Sequence, residues 1–87
     1  MIDNSSRIAE MTKRLTQSLA PSHLEIVDDS HKHIGHEGAK GGLGHFTVII
    51  QSEALAGKRM LQQHRAIYQA LGDLMQTDIH ALAIKVL

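Results

Sequence analysis

Eighty-seven residues, with nine Lys plus Arg set against nine Asp plus Glu, predict one small, charge-balanced domain over residues 1–87. That balance excludes a global pull toward nucleic acid or an anionic membrane. The absence of Cys excludes a disulfide framework, thiolate catalysis and a Cys-based zinc site. With one Phe, one Tyr and no Trp, the core has to be built from Leu, Ile, Val, Met and Ala.

The opening stretch MIDNSSRIAE is polar and lacks the basic-then-apolar pattern of a signal peptide, and no apolar run approaches membrane-spanning length. A cytoplasmic protein is the expectation. Over residues 5–19, Ile8, Met11, Leu15 and Leu19 recur at helical spacing, which predicts an amphipathic helix. Asp3 or Ser5 is the expected N-cap, and Pro21 is the stop signal. Residues 23–29, HLEIVDD, read as a strand, and so do residues 45–51, where Phe46, Val48 and Ile50 alternate onto one face. A polar, glycine-rich connection joins the two as an antiparallel hairpin, and it is much longer than usual.

Residues 54–75 predict a second helical region. Met60, Leu61, His64, Ile67, Tyr68, Leu71 and Met75 form an apolar stripe, and Lys58, Gln62, Arg65 and Gln69 form a polar one. Gly72-Asp73 marks a break that would divide the region into two helices. The closing HALAIKVL alternates as a strand, with His80 on the same side as Leu82 and Ile84. A helical crossover between the second and third strands favours parallel pairing. The expected fold is α+β, in the order α-β-β-α-α-β, with helices on one face of a three-stranded mixed sheet.

Chemistry concentrates between Asp28 and Phe46. The stretch DDSHKHIGHEGAKGGLGHF holds four of the seven histidines and five of the seven glycines. His31 and His33 lie two apart and point the same way in extended backbone, with His36 three further on. Imidazoles so placed make half a transition-metal site, to which Asp28 and Asp29 could add oxygens. The alternatives are a solvated loop and an anion nest at GAKGG, Gly38 to Gly42. The nest lacks the Gly-Lys-Ser/Thr ending and the following helix of a phosphate-binding loop. Elsewhere, His80 and His64 read first as packed histidines, while His23 and His45 have no evident partner in the sequence. Lys58, Arg59 and Arg65 occupy Ala54 to Gly72 with no acid among them, which is a small basic face able to meet phosphates. No Ser-His-Asp or paired-carboxylate constellation presents itself, so a non-enzymatic protein is expected.

Three stretches, LEIVDDSHKH, HFTVIIQSEALAGKRMLQQHRAIYQAL and DIHALAIKVL, resemble the BolA family over nearly the whole chain. The most specific pieces are Gln63-His64-Arg65 and His80-Ala81-Leu82. The resemblance implies a fold similar to the class II KH domain. It also implies a monothiol glutaredoxin partner sharing a [2Fe-2S] cluster, with the glutaredoxin cysteine and a glutathione thiolate on one side. From this chain the implied ligands are His80 and a loop histidine, His33, with His31 and His36 as alternates. No cluster is then expected in the isolated chain. Imidazole in place of thiolate reduces the negative charge around such a cluster and raises its potential. The family's second attributed role is transcriptional regulation in morphology and stress responses, which would place duplex DNA against Lys58, Arg59 and Arg65. A weak homodimer is a further expectation. The GAKG sequence precedes a strand instead of joining two helices, so RNA clamping of the KH type is not expected.

Overall fold

The computed structural model describes residues 4–30 and 44–87. His31, His33, His36 and the GAKGG stretch lie outside the described residues. Helix α1 (Asn4–Leu19) buries Met11 and Leu15, the centre of the expected stripe, with Ile8 and Leu19 packed beside them. Asp3 lies outside the described residues, and Ser5 falls inside the first turn, so it is not the cap. The helix ends at Ala20, whose φ of 43° turns the chain ahead of Pro21. The Ala20 amide still donates to Thr16 O at 3.1 Å.

Strands β1 (His23–Asp28) and β2 (Gly44–Gln51) pair antiparallel, with Leu24 opposite Ile50 and Ile26 opposite Val48. Strand β3 (Ile79–Val86) pairs with β2 in parallel, setting Leu82, Ile84 and Val86 beside Phe46, Val48 and Ile50. The sheet order is β1-β2-β3. All three strands therefore turn one apolar face toward the helices, and the core gathers there: Met11, Leu15, Phe46, Val48, Ile50, Leu55, Ile67, Leu71, Leu74 and Ile79.

The second helical region begins later than the sequence predicts, at Met60 and not at residue 54. Tight turns at residues 53–57 precede helix α2 (Met60–Leu71), and α3 (Leu74–Thr77) follows α2. The Ser52 hydroxyl accepts from the Ala54 amide at 3.2 Å, and successive i→i+3 bonds follow, such as Leu55 N to Ser52 O at 3.0 Å. Gly57 has a φ of 75°, which does not continue a right-handed helix. The predicted break at Gly72 is present, and its amide caps α2 by donating to Tyr68 O at 2.9 Å.

The expected apolar stripe of α2 is divided. Ile67 and Leu71 are buried, but Met60 is 71% exposed, Leu61 62% and Tyr68 39%. One helix turned onto one side of a sheet buries a narrow arc, and the apolar residues of this stripe span more than that arc.

Gly44 shows how tightly the start of β2 is packed. A Cβ there would lie 2.3 Å from Phe46 Cε2, because the Phe46 ring lies over the glycine. Phe46 is 1% exposed and central to the core. Gly44→Ala is expected to displace that ring and to cost about 1–3 kcal/mol, as overpacking does. Chemical denaturation reads this directly, and an unchanged midpoint would contradict the packing described.

Candidate metal-facing edge of the sheet

One end of the sheet brings together the start of α1, the end of β1, the start of β2 and the start of β3, and a polar network fixes them. Arg7 donates from Nε to Asp78 Oδ2 at 3.0 Å and from Nη1 to Asn4 Oδ1 at 3.0 Å. Asn4 Nδ2 donates to Asp28 Oδ2 at 3.0 Å and to Ser30 Oγ at 3.1 Å. The Ser30 amide returns to Asp28 Oδ1 at 2.9 Å, an Asx turn closing β1. Ser30 Oγ then accepts from the His45 amide at 3.0 Å, and the Gly44 amide donates to Asp78 O at 2.9 Å. Asp28, expected as a source of metal oxygens, therefore uses both oxygens within the fold. Asp29 accepts from Thr47 Oγ1.

The Arg7–Asp78 pair is largely withdrawn from water, with side-chain exposures of 12% and 11%. The Asp78 carboxyl is held below its ordinary range, chiefly by the hydrogen bond from Thr77 Oγ1 at 2.6 Å, with Arg7 adding to it and burial opposing. A second link lies outside this network. Arg14 Nη1 donates at 2.7 Å both to Leu71 O and to Asp73 Oδ1, at the start of α3, while Arg14 Nε meets Glu10 at 2.9 Å. The Asp73 bond, and then the Glu10 bond, raise the Arg14 pKa. Arg14 thereby caps the carboxyl end of α2 from α1.

His80 lies at this fixed end, and its position departs from simple strand alternation. Gly44 pairs with Ile79 but His45 pairs with Ala81, so one step along β2 matches two along β3. His80 is the extra residue of a β-bulge. Alternation alone would turn His80 inward with Leu82 and Ile84. The bulge instead lets Ile79 enter the core at 2% exposure and leaves His80 exposed. His45, given no partner by the sequence, is 5% exposed, and its ring centre lies 5.0 Å from that of His80 with the planes tilted by 49°. The signal that could have located the pair is register: His45 opens the strand that β3 must join in parallel.

The remaining candidates lie elsewhere. His64 is half-buried on α2, and His23 Nε2 lies 3.8 Å from Glu25 Oε2 at the far end of β1. Lys58, Arg59 and Arg65 are exposed, and none of the ion pairs among the described residues uses them. A cavity of about 260 Å³ is lined by Asp29, His45, Phe46, Ala81, Leu82 and Ala83. The larger cavity of about 600 Å³ sits at the opposite end of the sheet, by Leu19, Gln51, Ser52 and Leu87, with Glu53 as its charged group. Among the described residues, no group of three or more His, Cys, Asp or Glu side chains is placed to hold a metal ion. No helix among them is long and apolar enough to cross a membrane.

Comparison with known proteins decides the family, since the model for BolA-like proteins matches residues 15–87. The chain belongs to the BolA-like family. It is 37% identical over 84 residues to SufE-like protein 1, chloroplastic/mitochondrial, of Arabidopsis thaliana, covering 91% of this chain and 23% of that protein. It is 36% identical over 72 residues to the DNA-binding transcriptional regulator BolA of Escherichia coli, covering 83% of this chain and 66% of that one. The solved BolA domain of SufE1 from Arabidopsis thaliana superposes with a TM-score of 0.80 at 36% identity, over 93% of this chain and 90% of the domain. The chain thus spans 23% and 66% of those two curated relatives. Its mixed sheet and element order are those of the solved BolA domains.

The lowered Asp78 pKa ties stability of this edge to pH. A carboxylate depressed in the folded state stabilises fully above its ordinary pKa, about 4, and progressively less as pH falls through the lowered value. Asp78→Asn is expected to cost about 1–3 kcal/mol at neutral pH, because Arg7 loses its partner in a poorly hydrated site. The difference from wild type should shrink below about pH 4. Urea denaturation at pH 7 and pH 3 measures it, and a pH-independent difference would contradict the linkage.

Proposed function

We propose that this BolA-like chain is a non-enzymatic adaptor that binds a [2Fe-2S] cluster jointly with a monothiol glutaredoxin, in cluster trafficking or iron and redox sensing. The observation that carries it is His80, an exposed imidazole at a bulge in the strand start, at the end of the sheet held by the Arg7–Asp78 network. Ser30 and Gly44, between which the segment with His31, His33 and His36 is inserted, belong to the same end. The donor chemistry fits, because neutral imidazole is an established ligand of [2Fe–2S] centres in Rieske sites.

In this reading His80 holds one position and His33 another, with His31 and His36 as alternates. When bound, the cluster supplies one-electron chemistry or transferable iron and sulfide. The chain's own contribution is to present His80 on a rigid strand start and to supply no thiolate, so the partner and glutathione provide the sulfur ligands. A cytoplasmic setting completes the proposal. Adding the protein to cluster-loaded monothiol glutaredoxin should change the visible circular dichroism. His80→Ala should abolish the change, and His33→Ala should reduce it. An unchanged spectrum, or equal changes for wild type and His80→Ala, would sink the proposal.

A second reading is supported by the exposed cations Lys58, Arg59 and Arg65 and by the name of the Escherichia coli relative. As a duplex-DNA regulator the chain would bind with a log–log salt slope of about −3 if all three cations met phosphates, since each contact contributes roughly −0.9. Lys58→Ala and Arg65→Ala should each flatten that slope by about one unit. Absence of binding at low salt, measured by fluorescence anisotropy, removes this reading. It ranks second because exposed Met60, Leu61 and Tyr68 interrupt the cationic face.

A further inference from the structure

The His45–His80 pair has chemistry of its own. Two imidazoles bound to one tetrahedral ion, at metal–nitrogen distances of about 2.0–2.1 Å, have ring centres about 5 Å apart. The observed separation is 5.0 Å, and the 49° tilt is far from parallel stacking. The two rings come from neighbouring strands whose relative register is fixed by the bulge and by the bonds of Gly44 and His45 to Asp78 and Ser30. The two rings are thus brought together by backbone register and not by a flexible connection.

We infer that His45 and His80 form a two-imidazole site within the chain itself that takes one borderline divalent ion of the Zn²⁺, Co²⁺, Ni²⁺ or Cu²⁺ class. Imidazole suits these ions, and hard Mg²⁺ or Ca²⁺ would not compete. His45, 5% exposed, is the inner ligand, and exposed His80 is the outer one. The two imidazoles fill two positions of a tetrahedral ion, and no third His, Asp or Glu is placed with them among the described residues. The site does not depend on the cluster reading, but it uses the same His80. An ion held there takes His80 away from any shared cluster, which makes divalent metal a competitor of that assembly.

The test uses the full chain in which His31, His33 and His36 are all changed to alanine, so that these three imidazoles cannot contribute. Titration with Co²⁺ should still give visible d–d absorption, and Cu²⁺ should give electron paramagnetic resonance spectra with coupling to two imidazole nitrogens. Adding His80→Ala to that background should leave coupling to one nitrogen and weaken Co²⁺ binding at least about tenfold. Adding His45→Ala should weaken it similarly, provided far-ultraviolet circular dichroism shows a folded chain. The nitrogen count does not need that second variant. No Co²⁺ binding in the triple variant, coupling to fewer than two nitrogens there, or indifference to His80→Ala overturns the inference. None of these results alters the glutaredoxin titration, so the two proposals fail separately.

Discussion

The Arg7–Asp78 ion pair is the contact on which the histidine-bearing end of the molecule depends. It joins residues 71 positions apart and connects the first turn of α1 to the residue before β3. Two charges with side chains close to nine-tenths buried are costly to desolvate, and here the cost is offset by completeness. Arg7 also holds Asn4, Asn4 holds Asp28 and Ser30, and Ser30 holds the His45 amide. Removing one member would leave the others partly unsatisfied, so the network acts as a unit. The strand start that presents His80 is thereby set by polar bonds on one side and by Ile79 and Leu74 in the core on the other.

A three-stranded sheet with its helices on one face leaves much of a small chain at the surface. That asymmetry explains why α2 is apolar on more of its circumference than it can bury. Ile67 and Leu71 satisfy the core, and Met60, Leu61 and Tyr68 remain outside among Arg59, Arg65 and Lys58. A face so mixed is poorly suited to a polyanion alone, which bears on the DNA reading more than the number of cations does.

Local pattern made most of the fold legible in the sequence. Strand alternation in residues 45–51, the i, i+4 spacing of Met11 and Leu15, and the break at Gly72 each act over a few residues. What escaped was set by partners far along the chain. The late start of α2 follows from how Ser52 and Gly57 turn the backbone, which the side-chain stripe from Met60 onward does not register. The site was half legible. The resemblance pointed to His80, while its outward direction and its neighbour His45 arise from the offset between β2 and β3, which residue spacing within either strand does not encode.

The bulge at His80 also separates two kinds of selection. In an uninterrupted strand, position 80 would share a face with Leu82 and Ile84, and any side chain there would be judged by how it packs. With one residue looped out, Ile79 fills the core and position 80 is released from it. The side chain at that point can change its chemistry with little consequence for folding, while loss of a single residue between Ile79 and Ala81 would turn Ile79 outward and damage the core. At this edge the geometry favours substitution over deletion, because position 80 is exposed while the inward placement of Ile79 depends on the extra residue being present.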